Sequence, residues 1–351
     1  MSTLALLDHF KRLTTLELTI IIVDGTFPLV VLSSLSKLPS LANFTLTVLL
    51  AHNERLILDA ESSDKPIVYS FSNLQNLEVG GGASVALGIL KSIYGERLLR
   101  VTLRLRLEAD STINALQACI KRCPEMAPHV LFYTINIRGS TRLPRDIFAP
   151  LPNSYGQLRS LTIELAVFTI DHFRDLFDRA QAGFLWSALE ILKLEIIQYS
   201  DFQRNWLEID RAVPLSSLSM LAASCPRLHT LEFCLYYPFD EEGDRESDIL
   251  ENCIQSSQPT DHKLTHLNIA FFDPFVPVPQ PGDILDAITV SRFIDHIFPN
   301  VQDVGIPEEY EDVRGAWYAG IRAMMKNYRD VREKKATKGG SIIPNMKTTA
   351  D

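Results

Sequence analysis

Few residues in this chain are spaced for covalent chemistry. Leu77-Glu78-Val79-Gly80-Gly81-Gly82-Ala83-Ser84, followed by VALGILKSI, reads as a strand, a glycine turn and a helix. Dinucleotide and methyl-donor sites begin in this order, because glycines let the backbone approach a phosphate at a helix N-terminus. The run departs from both fingerprints. Ser84 stands where an acidic-x-Gly-x-Gly-x-Gly motif places its last glycine, and Val85 where G-x-G-x-x-G places its third. A methyl-donor or nucleotide-dependent enzyme using the Gly80–Gly82 turn is therefore the last-ranked reading. His262 and His266 are four apart but straddle an expected strand, so they do not share the helical face a metal pair needs. Cys225 and His229 have the types of a nucleophile and its base, yet Cys225 completes an apolar helical face. No residue is assigned a catalytic, cofactor-binding or metal role. No cofactor is expected, and the chain is expected not to be an enzyme.

A second group of polar residues has a different logic. Arg100, Thr102, Arg104 and Arg106 alternate with Val101, Leu103 and Leu105, and Phe132, Thr134, Asn136 and Arg138 alternate in the same way. Further along come Thr162 with Glu164, Lys193 with Glu195, Glu232 with Tyr236, and His266. Period-2 alternation places such residues on the solvent side of strands whose other face is buried. The arginines can pool into one basic patch that receives an acidic or phosphorylated segment through bidentate pairing. The alternative is that they are solvated, or paired with Glu96 and Glu108.

The elements that carry these residues recur. An apolar, two variable, apolar, one variable, apolar pattern appears ten times, as Leu13/Leu16/Leu18, Leu41/Phe44/Leu46, Leu74/Leu77/Val79, Leu98/Val101/Leu103 and Val130/Tyr133/Ile135. It continues as Leu158/Leu161/Ile163, Leu189/Leu192/Leu194, Leu228/Leu231/Phe233, Leu264/Leu267/Ile269 and Val301/Val304/Ile306. Between copies the apolar period lengthens toward 3.6, as in Ile113, Leu116, Ile120 and Cys123, or Val290, Phe293, Ile294 and Ile297. Pro124, Pro226 and Pro299 each follow a helical pattern and are expected to end it.

A strand and a helix this short cannot bury their apolar faces alone, so stacked neighbours must supply a continuous core. The expected fold class is α/β: a leucine-rich-repeat solenoid, or horseshoe, with a parallel sheet on the concave side, helices on the convex side and irregular repeat lengths. About ten repeats fill residues 1–325, and residues 326–351, charged and without apolar period, are expected to form a disordered tail.

At 351 residues, with 46% hydrophobic and 22% charged residues, the chain can support such an array. A net charge of −9 argues against nucleic acid as partner. No apolar run reaches the roughly 20 residues of a membrane helix, so no membrane partner is expected. The five cysteines form no C-x-x-C pair and suit a reducing compartment as small core residues. The chain is expected to be a cytoplasmic or nuclear monomer. Its candidate partner-binding surface, on the concave face, is Arg100, Arg104, Arg106, Phe132, Asn136, Arg138, Glu164, Lys193, Glu195, Glu232, Tyr236 and His266.

PLSSLSMLAASCPRLHTLEF, from Pro214 to Phe233, resembles the helix-Cys-Pro-strand unit of F-box/leucine-rich-repeat proteins. TVSRFIDHIFPNVQDVGI, from Thr289 to Ile306, is similar to the closing repeat of the many such proteins in mushroom-forming fungi, and Trp317 to the aromatic of their last amphipathic helix. The resemblance spans about residues 10 to 325. It implies a non-enzymatic module that recognises a protein substrate for a ubiquitin ligase, with a Skp-type adaptor and a cullin as further partners. No F-box is visible ahead of Leu13 in this sequence, so adaptor docking is carried to no residue here and is expected only if such a module lies upstream of Met1. The alternative is a stand-alone scaffold that binds or sequesters its partner without a ligase.

Overall fold

The computed structural model describes residues 10–22, 26–27, 30–50, 57–58, 67–107, 112–139, 143–165, 168–181, 186–196, 213–236, 241–256, 260–272, 284–305 and 311–339. The chain divides into two compact units. The first comprises Met1–Val213 with Met220–Cys234, and the second Pro214–Ser219 with Leu235–Asp351.

In the first unit the alternating segments are strands and the 3.6-period segments are helices. In chain order they are β1 (Thr15–Ile22), β2 (Thr26–Phe27), α1 (Val30–Ser36), β3 (Asn43–Leu50), β4 (Ile57–Leu58), β5 (Tyr69–Ser70), β6 (Asn76–Gly82), α2 (Ala83–Ser92) and β7 (Ile93–Tyr94). They continue with β8 (Arg100–Arg106), α3 (Ile113–Met126), β9 (Phe132–Arg138), α4 (Pro150–Ser154), β10 (Ser160–Leu165), α5 (Ile170–Gln181), β11 (Ile191–Ile196), α6 (Leu218–Ser224) and β12 (Thr230–Tyr236). Strands β1, β3, β6, β8, β9, β10, β11 and β12 lie side by side in that order, each pair of neighbours parallel. β2 pairs with β4, and β5 with β7, in two separate parallel pairings of two residues each.

The pattern positions form the core. From Leu41 to Phe233 every pattern residue is buried, and α2, α3, α4 and α5 pack in succession, each against the next. Each fully buried leucine or phenylalanine side chain contributes about 1.5–3 kcal/mol. Leu16 and Leu18 of β1 are only half-buried.

The repetition extends to the backbone. At seven consecutive strand entries, the N–H groups of two successive residues converge on one carbonyl of the preceding repeat. Ala42 and Asn43 donate to Thr14 O, Gln75 and Asn76 to Ala42 O, Leu99 and Arg100 to Gln75 O, and the series runs on to His229 and Thr230 on Glu190 O, all at 2.8–3.1 Å. Just upstream, a tight turn returns the N–H of Leu13, Leu41, Leu98, Val130, Leu158, Leu189 and Leu228 to the carbonyl three residues before. Those earlier residues include Leu38, Tyr155, Trp186 and Cys225, all buried. The repeat is therefore longer than the three apolar positions read from the sequence.

The glycine run has a packing role. Gly80 to Gly82 belong to β6, which passes directly into α2. Gly81 has φ +140°, and a Cβ there would stand 2.6 Å from Val48 O. Gly139 repeats this at φ +147°, with Leu107 O at 2.7 Å. Only glycine tolerates both that backbone conformation and that approach.

The second unit holds α7 (Glu241–Ser256), β13 (His266–Phe272), α8 (Ile284–Ile297), β14 (Asp303–Gly305) and α9 (Glu311–Gly339). β13 and β14 pair in parallel, while α7 packs on α8 and α8 on α9. Two sequence expectations differ here and in the first unit. Residues 326–339 are helical, in α9, where a disordered tail was expected from 326; residues 340–351 lie outside those described. Helix α3 runs through Pro124 to Met126, because a proline in the last turn removes one hydrogen bond without blocking the few residues left. Among the described residues no helix is long and apolar enough to cross a membrane.

Candidate binding surface

The register of the first unit fixes which polar residues are neighbours. One row across the solvent-facing side of the sheet reads Asn76, Arg100, Phe132, Ser160, Ile191, Thr230. The next, two residues along the strands, reads Glu78, Thr102, Thr134, Thr162, Lys193, Glu232. The third reads Gly80, Arg104, Asn136, Glu164, Glu195, and the fourth Gly82, Arg106, Arg138.

Charge separates along these rows. On β8 and β9 sit four guanidiniums. Arg104 Nε donates to Glu78 Oε1 at 2.9 Å, and the Arg100 guanidinium lies 4.8 Å over the Phe132 ring. Arg106 and Arg138 are exposed register neighbours, and among the described residues no carboxylate pairs with either. Glu96 is not the counter-ion of Arg104, and Glu108 lies outside the described residues. Gly82 places no side chain beside Arg106, whereas Arg104, beside Gly80, turns along β6 to Glu78.

On β10 to β12 the sign reverses. Glu164 and Glu195 are register neighbours, Glu232 lies one row away, and the single cation among them, Lys193, bonds Glu232 Oε1 at 2.7 Å. Partial burial raises the Glu195 carboxyl above its ordinary range, with Glu164 and Glu232 adding to the rise and Lys193 opposing it.

Asn136 stands between the two halves and is buried to 7% exposure. Its Nδ2 donates to Glu164 Oε2. Because a carboxylate only accepts, this fixes the amide orientation. Oδ1 is buried without a hydrogen-bond partner among the described residues.

The sequence-derived surface residues of the first unit thus fall on one side of one sheet: Arg100, Arg104, Arg106, Phe132, Asn136, Arg138, Glu164, Lys193, Glu195 and Glu232. His266 is exposed but belongs to the second unit, where its Nδ1 lies 2.9 Å from Thr265 Oγ1. The side chain of Tyr236 lies outside the described residues. Sequence reasoning missed Glu78, the counter-ion of Arg104. It also missed the side-chain chain in which Asn76 Nδ2 donates to Asn43 Oδ1, at 2.5 Å, and Asn43 Nδ2 to Thr15 Oγ1, at 3.0 Å. The signal was present, since Asn43 and Asn76 hold the same position in successive repeats.

The groups weighed for catalysis are held differently. Burial pushes the Cys123 thiol up to about 12, and Cys119 and Cys225 higher still, so none is a thiolate at neutral pH. Cys253 is only half-buried rather than a core residue, and the side chain of Cys234 is outside the described set. His262 is buried, its Nδ1 accepting from Leu264 N–H at 3.1 Å and its ring edge-on to Phe298, while His266 is exposed. Among the described residues no three His, Cys, Asp or Glu side chains form a metal cluster. No protein-family model matches the chain, and no curated protein matches it.

Proposed function

We propose that the first unit is an irregular leucine-rich-repeat array that binds a protein partner across the solvent-facing side of its parallel sheet, without catalysing a reaction. The observation that carries this is the recurrence, at seven strand entries, of one backbone arrangement, two N–H groups on one carbonyl of the repeat before. Identical entries stack the strands in register, and register sets polar side chains in rows on a broad face. Repeat arrays commonly bind through such faces. The resemblance to F-box/leucine-rich-repeat proteins supplies a setting, substrate recognition for a ubiquitin ligase in cytoplasm or nucleus. A stand-alone scaffold that sequesters its partner would use the same face.

The test is recovery of companions from the source cells with the proteasome inhibited, comparing the wild-type chain with Thr134→Arg/Thr162→Arg. These two positions are register neighbours in the middle of the face, half-buried and outside the core. A protein lost from the variant, at unchanged melting temperature, supports the reading; companions unaffected by the variant overturn it. Skp-type adaptor and cullin among the companions of both forms would favour the ligase setting, and their absence the scaffold.

A further inference from the structure

The face just described is polarised. Four guanidiniums against one carboxylate occupy β8 and its neighbours, and three carboxylates against one ammonium occupy β10 to β12. Like charges in register repel, so neither cluster stabilises the sheet. Each is a standing cost that a ligand of opposite sign relieves. The unpartnered Asn136 Oδ1 is a further one, since a buried acceptor left without a donor costs about 1–3 kcal/mol.

We infer that the occupant of this face is an extended protein segment with a carboxylate side chain on Arg106 and Arg138 and, about four residues away, a lysine or arginine between Glu164 and Glu195. This rests on the reading above and names the chemistry of the partner. The spacing follows from sheet geometry. Strands lie about 4.8 Å apart and rise about 3.3 Å per residue. The midpoint of Arg106 and Arg138 is two strands and two residues from the midpoint of Glu164 and Glu195, a separation of about 12 Å by those spacings. In an extended chain, side chains on one face four residues apart are separated by about 13 Å.

Asn136 lies on the path between the two subsites, in register with Arg104 on one side and Glu164 on the other. With Nδ2 turned to Glu164, Oδ1 is left as the acceptor for a backbone N–H of the passing segment. Thr102, Thr134 and Thr162 form a row of small hydroxyls beside this path, low enough to admit a chain lying flat and able to donate or accept along its backbone. Charge of one sign alone would engage only half of this surface.

The test is fluorescence anisotropy at low ionic strength with labelled Ser/Ala peptides that carry two glutamates, two lysines, or one of each, the last at spacings of four residues and of one. The full-length protein should bind the mixed peptide of four-residue spacing at least tenfold more tightly than the others. Arg106→Glu/Arg138→Glu, both exposed positions, should abolish that preference and make the two-lysine peptide the tightest. Asn136→Val keeps a strand former and removes the orphan acceptor. It should weaken the mixed peptide while leaving the melting temperature at or above that of the wild type. The inference is overturned if one-sign peptides bind wild type as tightly as the mixed one, or if the preference survives the arginine inversion. It is also overturned by a wild-type dimer, seen in sedimentation, that dissolves on arginine inversion, because the occupant is then a second copy. If every peptide fails while Thr134→Arg/Thr162→Arg still loses a native companion, this charge pattern falls and the broader binding reading stands.

Discussion

His172 is held neutral by its surroundings. Thr169 N–H donates to Nδ1 at 3.2 Å, which places the ring proton on Nε2, where it faces Pro144 O at 3.1 Å. Phe148 and Phe168 pack against the ring, each 5.8 Å away by centroids. Burial lowers its pKa, with the Pro144 and Leu143 carbonyls and Asp171 pulling the other way. A folded-state pKa below the unfolded value means the unfolded chain binds the proton more readily. The contribution of His172 to stability is therefore present above the unfolded pKa, about 6.5, and is lost as pH falls through the lowered one. Urea unfolding across this range should show stability falling on acidification. His172→Gln should cost about 1–3 kcal/mol at pH 7.5, by leaving the half-buried Pro144 carbonyl and the buried Thr169 N–H poorly paired, and should flatten the decline. An undiminished decline in the variant would assign it to another group. The histidine had no sequence signature, because its partners are backbone atoms, the Thr169 N–H and a Pro144 carbonyl 28 residues upstream.

Helix α9 covers the edge strand of the second unit. Arginines of α9 bond one carbonyl of β14, that of Val304, and two of the segment that leads into it. Arg322 Nε donates to Val304 O at 2.7 Å, Arg329 Nη2 to Gln302 O at 3.1 Å, and Arg332 Nη2 to Pro299 O at 2.7 Å, while Arg332 Nη1 also meets Asp295 of α8. Tyr318 Oη adds a bond to Ile269 O at 2.9 Å. This explains why residues 326–339 read as a tail. Their tie to the unit is made by charged side chains to backbone carbonyls, and such contacts leave no apolar period for sequence reading to detect. A second charged residue of this unit is likewise tied to backbone: Glu246 of α7 is buried and accepts the Ser216 N–H at 2.9 Å. Arg332→Ala is expected to lower the stability of the second unit by about 1–2 kcal/mol, the worth of charge-assisted bonds discounted for partial exposure. Thermal unfolding monitored near Trp317 would report it. An unchanged midpoint would mean that Trp317, Tyr318, Ile321 and Met325, all buried, hold α9 without the arginines.

Across the whole chain, the sequence was most readable where the physics is periodic. The triplets from Leu41 to Phe233 are buried and their alternate residues face solvent, because a period of 2 in a sheet with one buried face admits no other register. Neighbouring charges were less readable. Aligned triplets set Glu164 opposite Glu195, but Arg104 reaches diagonally to Glu78, two residues from its register partner Gly80, and side-chain conformation rather than repeat position decides that pair. The same quasi-linear build predicts how the first unit opens. A middle strand such as β8 is held on both sides, and Val101 and Leu103 are fully buried; on β1, Leu16, Leu18 and Ile20 are half-exposed, and Ile21 is 64% exposed. Stability in such arrays is a sum of repeat and nearest-neighbour terms, so opening should begin where the neighbour term is weakest. Amide hydrogen exchange should therefore show protection rising from β1 through β3 to a plateau over β6, β8, β9 and β10, with β1 exchanging at least tenfold faster than β8. Equal protection over all these strands would mean that the first unit opens as one cooperative block, and that the contact of β1 with β3 is worth as much as any in its interior.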